Sequence, residues 1–498
     1  MINTNKIFIR IILMISYVLL CAVLVFLISS ILSYLNTGAD RSSLLHTQVK
    51  KESNYIPELI WKNDGNEGRY LSDQVRAEVE GDYLDSWYIK QLAYRNNNKK
   101  GIDDYYTQNA RKNLYSFIEH NKKDSIFIEA TTLSHNPDIL FYSADGQFIV
   151  LNDKNVLQHQ KIYQNKEQIL ETTELSNYKH IMLLEDGFWR IRHSVKETSK
   201  EFDKSIKSTQ VDSLVIKGIN YYPKDSPWNM FGDDFDIDII SNDFKIVKNA
   251  NLNSVRIFIQ YEDFGKAILK EDKLEKLKQV LDEAIKQEIK VVVTLFDFYG
   301  NYDVLDWTLT YKHAKGIVTK FKDHPAILAW DLKNEPNLDF KSRGKNNVVS
   351  WLEYLMVMVK SIDKNHPITI GWSNVESASI LSDKVDYVSF HYYEDLSKFE
   401  KEYLKLKSEI KNKPIILQEF GVSSYKGFWN PFGRSKDNQA NFHKEIQEIL
   451  EKNNIHFMSW TLYDFREVPK SVVGGLPWRT NPQKKFGFIS TNGKKKPA

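Results

Sequence analysis

Two glutamates of this 498-residue chain stand where apolar stretches end, and their side chains could do chemistry. Glu335 closes the sequence Trp-Asp-Leu-Lys-Asn-Glu, and Glu419 closes the sequence Pro-Ile-Ile-Leu-Gln-Glu. A carboxyl group can donate or accept a proton or attack an electrophilic carbon, so two facing carboxyls can divide these roles. Buried strands that deliver both side chains to one rim would make the two glutamates a catalytic pair.

The alternation of residue types after residue 211 predicts strands and helices that could position such a pair. Apolar, β-branched runs alternate with stretches of helical spacing, which is typical of a parallel sheet buried on both faces. Eight such units in about 280 residues have the size of a (β/α)8 TIM barrel, an α/β fold. A doubly wound open sheet is the alternative, but it usually carries a Gly-rich phosphate loop, which is absent here. The predicted strands are residues 214–220, 254–259, 290–296, 326–331, 367–371, 385–390, 414–418 and 456–461.

Polar and aromatic side chains recur at the ends of these strands, where barrel enzymes hold their catalytic residues. Strands four and seven are separated by nearly three βα units of about 30 residues, so Glu335 and Glu419 can face each other across the barrel mouth. The candidates, in chain order, are Arg256, Asp297, Asn334, Glu335, His391, Tyr393, Glu419 and Trp460.

The order of these motifs resembles clan A of the glycoside hydrolases, above all the cellulase-like family 5 and the catalytic barrel of family 2. The resemblance covers about residues 211–490 and implies a retaining hydrolase or transglycosylase that cleaves β-glycosidic bonds by double displacement. That reaction needs two carboxyl groups about 5–5.5 Å apart. The motifs are Lys-Gly-Ile-Asn-Tyr-Tyr-Pro at 217–223, Ser-Val-Arg-Ile-Phe at 254–258, Asn-Glu-Pro at 334–336, His-Tyr-Tyr at 391–393, Gln-Glu-Phe-Gly at 418–421 and Ser-Trp-Thr at 459–461.

The resemblance also implies a role for each residue of the pair and its nearest supports. Glu335 would be the acid/base and Glu419 the nucleophile. Arg256 would hold Glu419 ionised through charge-assisted hydrogen bonds. Asn334 would hydrogen-bond the 2-hydroxyl of the sugar.

Four further side chains would complete a sugar site. His391 and Tyr393 would contact the nucleophile or the substrate, and Trp460 would form a platform under the cleaved sugar. Many family members have a histidine after strand three, whereas this chain has Asp297, which would replace it or bind a sugar hydroxyl. Three tryptophans near loop positions could line further subsites: Trp228, Trp307 and Trp372.

An uncharged apolar run at residues 11–35 is longer than the about 20 residues of a spanning helix and too long for a signal-peptide core. Lys6 and Arg10 precede it, which favours a cytoplasmic N-terminus, although Arg41 follows. Cys21, the one cysteine, lies inside this run, so no disulfide is expected. We predict a single-pass transmembrane anchor at residues 1–40, with the catalytic domain outside the cytoplasm, in the periplasm or at the cell surface.

Between anchor and barrel the sequence predicts a stalk, a small domain and a linker. Residues 41–69 form the polar stalk, residues 70–198 an α+β accessory domain, and residues 199–210 the linker to the barrel at 211–498. Helical spacing followed by strands resembles the cone-like fold of nuclear transport factor two, especially the predicted strand pair around Asp186-Gly187. No catalytic pair stands out in this domain, so an accessory or interaction role is expected. No obvious eighth helix follows the last predicted strand.

The composition excludes some partners and favours others. The net charge is +3 without a clustered basic face, so no nucleic acid is expected, and the run 494–496 is predicted to be a solvated lysine tail. We infer no cofactor and no metal, because the reaction needs only two carboxyls and water and no His/Asp cluster shows metal-ligand spacing. The expected partners are the β-linked polysaccharide or oligosaccharide, the membrane and, as candidates, proteins of polysaccharide synthesis or export.

One alternative function belongs to a different class. A membrane-anchored, carbohydrate-binding pseudoenzyme could act as the scaffold of a polysaccharide synthesis or export complex. The anchor and the additional domain favour this alternative, and the intact carboxylate pair argues against it. The sugar, the linkage, exo or endo action, hydrolysis or transglycosylation, and the oligomeric state do not follow from the sequence.

Overall fold

The computed structural model describes residues 13–29, 55–62, 66–209, 211, 215–410 and 412–498. The chain divides into two compact units. One unit includes residues 58–201, and the other includes residues 202–498 together with the short stretch 55–57.

Residues 13–29 are helical. Among the helices of the described ranges, none combines the length and the apolar character that a membrane crossing requires. The predicted anchor at 11–35 and stalk at 41–69 include residues 11–12, 30–54 and 63–65, which lie outside the described residues.

In the first unit helices precede most of a largely antiparallel sheet. One two-residue strand of this sheet, Glu58–Leu59, comes before these helices and lies within the segment 41–69 that the sequence predicts as a polar stalk. The strand order is β1-β2-β4-β5-β6, with β3 paired to β4, and only the β1–β2 pair is parallel. Its elements are α1 (Asp73–Asn96), α2 (Ile102–Tyr105), α3 (Gln108–Lys123), β1 (Glu58–Leu59), β2 (Ile126–His135), β3 (Pro137–Tyr142), β4 (Phe148–Gln164), β5 (Glu167–Glu185) and β6 (Phe188–Glu201). The likeness of this unit to nuclear transport factor two stays a prediction.

The strands of this sheet are longer than the sequence indicates. The sequence pattern predicts separate strands at 168–175 and 179–184, whereas the structure has one continuous strand there, β5, which pairs with β4 along nearly its whole length. Residues 199–201 of the predicted linker are the end of β6, and residues 202–209 carry no regular secondary structure.

The second unit is a closed barrel of eight parallel strands, so the predicted (β/α)8 TIM barrel is confirmed. The barrel closes where the last strand pairs with the first. Its strands are β7 (Lys217–Asn220), β8 (Ser254–Gln260), β9 (Lys290–Asp297), β10 (Ile327–Asn334), β11 (Ile368–Trp372), β12 (Val388–Tyr392), β13 (Ile415–Phe420) and β14 (His456–Ser459). Its helices are α4 (Ile237–Asn249), α5 (Glu271–Lys286), α6 (Trp307–Phe321), α7 (Phe340–Arg343), α8 (Lys345–Ile362), α9 (Leu396–Glu409), α10 (Lys436–Asn453), α11 (Lys470–Val473) and α12 (Pro477–Gln483).

The barrel interior changes from apolar to polar along the strands. A buried apolar cluster fills its centre with side chains from several strands, and it comprises Ile216, Val292, Ala329, Tyr387, Ile416 and Met458. Side chains two residues apart share a face of a strand. The next inward positions after Val292 and Ala329 are therefore Thr294 and Asp331, which are buried and polar. The polar layer of the site rests on this apolar layer.

Helices form around the barrel for local reasons that the sequence shows. In α5, Leu274, Leu277, Leu281 and Ala284 are buried at the spacing of one helical face. The Asp236 carboxylate caps α4 by accepting hydrogen bonds from the first amides of that helix.

The segment after β14 has only the short helices α11 and α12 in place of a long eighth helix. Ile489 then forms bridges with both Tyr463 and Lys495. The predicted solvated lysine tail is wrong for Lys496, whose buried ammonium donates to the Asp464 carboxylate over 2.6 Å. Lys494 and Lys495 are exposed.

Candidate active site

A cavity of about 620 Å³ lies at the carboxyl ends of the barrel strands. Glu335 and Glu419 both line it, together with Asn334, Tyr393 and Trp460. The side chains beneath and around these residues decide what each carboxyl group can do.

Arg256, inside β8, is completely buried below the cavity. Its Nε and Nη2 donate to Asp331 Oδ2 over 3.0 and 2.7 Å, and its Nη1 donates to Glu419 Oε1 over 2.5 Å. Burial works to lower the Arg256 pKa, but the charges of Asp331 and Glu419 raise it above its usual value. The guanidinium therefore stays charged, because a buried cation is stable only when it is paired.

Two asparagines accept further hydrogen bonds from this guanidinium, and Thr294 Oγ1 accepts one from its Nε over 3.0 Å. Arg256 Nη1 donates to Asn220 Oδ1 over 3.0 Å, and Nη2 donates to Asn334 Oδ1 over 2.9 Å. Since the Asn334 oxygen accepts from Arg256, the Asn334 Nδ2 group points away from the guanidinium. Nδ2 donates to Asp297 Oδ1 over 3.3 Å. Arg256 thus fixes which end of the Asn334 amide can donate to a ligand.

Glu419 stands inside β13 and is nearly buried. Each of its carboxylate oxygens accepts a hydrogen bond, Oε1 from Arg256 and Oε2 from the Tyr393 hydroxyl over 2.8 Å. Donors to the charged form stabilise an ionised carboxylate.

Glu335 adopts a left-handed backbone conformation, with φ 48° and ψ 49°. A non-glycine residue rarely adopts this conformation, and the following Pro336 restricts the choice further. The Glu335 amide donates to the Gly371 carbonyl over 2.7 Å, which holds the strained turn. Backbone strain of about 1–3 kcal/mol persists where the surrounding structure over-determines it, often at active sites.

The Glu335 carboxyl has a different environment from that of Glu419. Its side chain is 27% exposed, and His391 Nδ1 lies 2.9 Å from its Oε1. Burial works to raise the Glu335 pKa, but the hydrogen bond and charge of His391 outweigh it, with Arg256 and Lys333 adding to the effect. The Glu335 pKa therefore lies below its usual value.

His391 lies between the two glutamates. Its Nδ1 is 2.9 Å from Glu335 Oε1 and 3.6 Å from Glu419 Oε2, and one ligand atom from each of the three residues lies within 4.8 Å of the others. The glutamates therefore have the short spacing of a retaining pair, whereas inverting enzymes need about 6.5–9.5 Å. The same three groups lie close enough together to hold a cation, and the spacing in the sequence did not reveal this cluster. Both oxygens of Glu419, however, already accept hydrogen bonds, from Arg256 and from Tyr393.

Gly371 in β11 allows the close packing of this layer. A Cβ atom there would lie 2.8 Å from Gln418 Oε1, 2.9 Å from Arg256 Nη2 and 3.2 Å from His391 Nε2. The Gly371 amide also donates to Asp331 Oδ1 over 2.9 Å. A side chain at this position would have no space.

Asp297 ends β9 at the cavity wall, and burial raises its pKa to about 6. Its oxygens have two long hydrogen bonds of 3.3 Å, from Asn334 Nδ2 and from the Tyr222 hydroxyl. The buried Lys333 acts on it electrostatically, while the Lys333 ammonium donates to its neighbour's carbonyl, Asn334 O, over 2.7 Å. Asp297 therefore keeps acceptor capacity for a ligand.

Aromatic rings form another side of the cavity. Trp460 lies 5.8 Å from Trp228 and 6.3 Å from Tyr222 between ring centroids. Of the three loop tryptophans suggested by the sequence, only Trp228 lines the cavity, whereas Trp307 and Trp372 are buried core residues.

The structure brings the predicted site residues together at one barrel end. Six of the eight line the cavity, and the other two, Arg256 and His391, are hydrogen-bonded to the two glutamates. Sequence reasoning missed Asp331, Lys333 and Tyr222. A usable signal existed for the first two, because Asp331 and Lys333 follow Ala329 at a period of two within an apolar strand.

Comparison with known proteins agrees with the fold. The Cellulase family, glycosyl hydrolase family 5, matches residues 194–466, which is more than half of the chain. The eight strands of the barrel lie within the part of the chain that matches this family. The chain belongs to glycosyl hydrolase family 5, whose members act with retention.

Individual relatives are distant and match only in part. A putative mannan endo-1,4-beta-mannosidase of Arabidopsis thaliana is 30% identical over 193 residues, which are 30% of this chain and 46% of the plant protein. A mannan endo-1,4-beta-mannosidase of Oryza sativa subsp. japonica is 25% identical over 278 residues, 42% of this chain and 60% of the relative. An exo-beta-1,4-mannosidase structure from Opitutaceae bacterium strain TAV5 has 16% identity and a TM-score of 0.47, covering 59% of each chain. The chain spans about half the length of the plant relatives.

The raised pKa of Asp297 predicts a pH-dependent stability difference between the wild type and Asp297→Asn. The pKa of this carboxyl is about 6 in the folded chain, against a usual value of 3.8, so the folded chain keeps the proton up to a higher pH than the unfolded chain does. The wild type should therefore lose stability relative to the variant as the pH rises from about 4 to about 6, by about 3 kcal/mol. Urea unfolding followed by tryptophan fluorescence at several pH values measures the difference. A constant difference across this window would contradict the assignment.

Proposed function

We propose that this chain is a retaining hydrolase of β-linked polysaccharide or oligosaccharide, with Glu419 as the nucleophile and Glu335 as the acid/base. The observation that carries the proposal is the short spacing of the two carboxyl groups combined with their unequal partners. Glu419 accepts hydrogen bonds on both oxygens, one from Arg256 and one from Tyr393. The carboxyl group of Glu335 has one hydrogen-bond partner among the described residues, His391, and its side chain is partly exposed beside the cavity.

In the first step, a Glu419 oxygen attacks the anomeric carbon while Glu335 protonates the departing glycosidic oxygen. The bond from the anomeric carbon to the leaving oxygen breaks, and an ester to Glu419 forms. In the second step, Glu335 takes a proton from water, and the water oxygen replaces Glu419 at the anomeric carbon. A sugar hydroxyl in place of that water would give transglycosylation.

The environment of Glu335 suits both directions of proton transfer. A bound sugar removes the remaining water from its carboxyl, and desolvation is the strongest influence that raises its pKa. Once the ester forms, Glu419 no longer carries a negative charge. Loss of a nearby anion lowers the pKa of a carboxyl, so Glu335 then favours the ionised form that a general base needs.

The sugar in the cavity would be held by acceptors, donors and a ring face. Asn334 Nδ2 would donate to the 2-hydroxyl, and Asp297 would accept from another hydroxyl. Trp460 would stack beneath the ring, since aromatic faces pack against apolar sugar faces. The mannan-degrading relatives make β-1,4-mannan the first polysaccharide to test.

Replacing the nucleophile tests the first assignment. Glu419→Ala should lower kcat by about 10⁴-fold or more, because the covalent step is lost. Added azide should restore turnover of an activated aryl β-glycoside and give the α-glycosyl azide, detected by NMR. The exposed Glu409→Ala serves as the matched control and should keep full activity. Wild-type turnover by Glu419→Ala would contradict the role.

Replacing the acid/base tests the second assignment through the leaving group. Glu335→Ala should lower kcat/KM by about 10²–10⁴-fold for substrates with poor leaving groups, because these need a proton. Aryl glycosides with strongly acidic phenols should be affected far less in this step. Kinetics across a series of phenyl glycosides measure this dependence. The same loss for every leaving group would count against Glu335 as the acid.

The location of the enzyme is a separate proposal that rests on the sequence alone. The uncharged run at 11–35 would retain the chain in the cell membrane, with the barrel outside the cytoplasm. Full-length protein should sediment with membranes and resist a carbonate wash, and immunoblotting of the fractions measures this. Recovery of a shortened soluble form would contradict the anchor.

A further inference from the structure

Four large aromatic side chains are exposed on the loops around the barrel mouth. They form what we name the aromatic surface: Phe428, Trp429, Phe432 and Trp478. Phe428 is 87% exposed and Phe432 is 97% exposed, so neither ring contributes to the core. Exposed apolar groups that cluster in this way commonly mark an interaction site.

The aromatic surface is built on two loops at the catalytic end of the barrel. Phe428, Trp429 and Phe432 belong to the loop after β13, the strand that carries Glu419, and Trp478 belongs to α12 after β14. The Trp429 and Trp478 rings lie 6.1 Å apart and join the two loops.

Hydrogen bonds tie the same two loops together beneath the rings. The Ser423 hydroxyl donates to the Pro482 carbonyl over 2.6 Å, and Asn481 Nδ2 donates to the Tyr425 hydroxyl over 3.3 Å. The Ser424 amide donates to the Lys485 carbonyl over 2.9 Å. The rings are thus presented on a fixed support.

The support is also a wall of the catalytic cavity. Val472, Val473, Gln483 and Phe486 line the cavity, and Trp478 lies between them in sequence. The Phe486 ring is 6.0 Å from the ring of Tyr393, which hydrogen-bonds Glu419. Trp478 therefore lies on the same stretch of chain, residues 472–486, that forms this wall.

We propose that the aromatic surface binds sugar units of a β-linked polysaccharide beyond those held in the cavity. Flat aromatic rings offer the apolar faces on which pyranose rings stack, and they order few torsion angles when they bind. Continuity with the cavity wall favours a polysaccharide over a membrane lipid as the occupant. The proposal rests on the proposed function, and it adds that the substrate is a polymer bound on both sides of the cavity rim.

The test compares a polymer with a short substrate, using the full chain in mild detergent. The variants are Trp429→Ala with Trp478→Ala, and the control is Leu404→Ala, an exposed apolar residue of α9. For galactomannan, the double variant should show a KM raised about tenfold, whereas kcat/KM for an aryl β-mannoside should stay unchanged. Trp429→Tyr with Trp478→Tyr should recover most of the galactomannan KM.

Direct binding separates this proposal from the enzymatic one. Affinity electrophoresis in a galactomannan gel, with Glu419→Ala in both chains to prevent cleavage, should show retardation that the double tryptophan variant loses. Equal migration of the two chains would overturn the aromatic surface as a sugar site even if the enzyme is active. So would turnover of the aryl glycoside without any action on the polymer. Loss of binding to phosphatidylglycerol vesicles, with galactomannan binding unchanged, would overturn it in favour of a membrane surface.

Discussion

The ion cluster around Arg256 is the interaction on which the catalytic end of the barrel depends. A guanidinium without solvent contact is stable only with anions beside it, and Asp331 and Glu419 supply them from two other strands. Because the planar group has donors in fixed directions, it also sets the orientation of Asn334. One buried cation therefore contacts one glutamate and sets the hydrogen-bonding direction of Asn334, the residue next to the other glutamate.

Two glutamates of identical chemistry differ here because their neighbours differ. Glu419 lies within a strand, with donors on both oxygens, and has little freedom to move or to accept a proton. Glu335 follows a strand in a strained turn, is partly open to the cavity and shares its one side-chain contact with His391. The division of labour is thus a property of the surrounding layer, which the barrel assembles from strands that are distant in sequence.

The barrel was predictable because its strands are short apolar runs with helical stretches between them. The strand ends were harder to predict, since Asn334, His391 and Glu419 are polar yet continue their strands. Inside the barrel these residues contact polar partners on neighbouring strands. The hydrophobic pattern along the sequence does not show which residues those partners are. Lys496 is a similar case, because only the folded chain reveals that Asp464 is available to pair with it.

The other differences between the predicted and the observed structure also arise from contacts between segments that are distant in sequence. The long β4–β5 hairpin is held by cross-strand pairing through polar stretches that carry no strong strand pattern. For the catalytic end, the resemblance to a known family supplied the roles of the glutamates, while the spacing between their carboxyl groups required coordinates. The exposed rings of the loop after β13 could not be separated by composition from the many aromatic residues that fill the core.

Gly371 has a consequence for how this enzyme can change over evolutionary time. Side chains of Gln418, Arg256 and His391 come together where Gly371 has none, so an alanine there would force these three groups apart. A descendant could keep both glutamates, the arginine and the whole barrel, and still lose turnover through one added methyl group. Inspection of the catalytic residues alone would then classify an inactive protein as active.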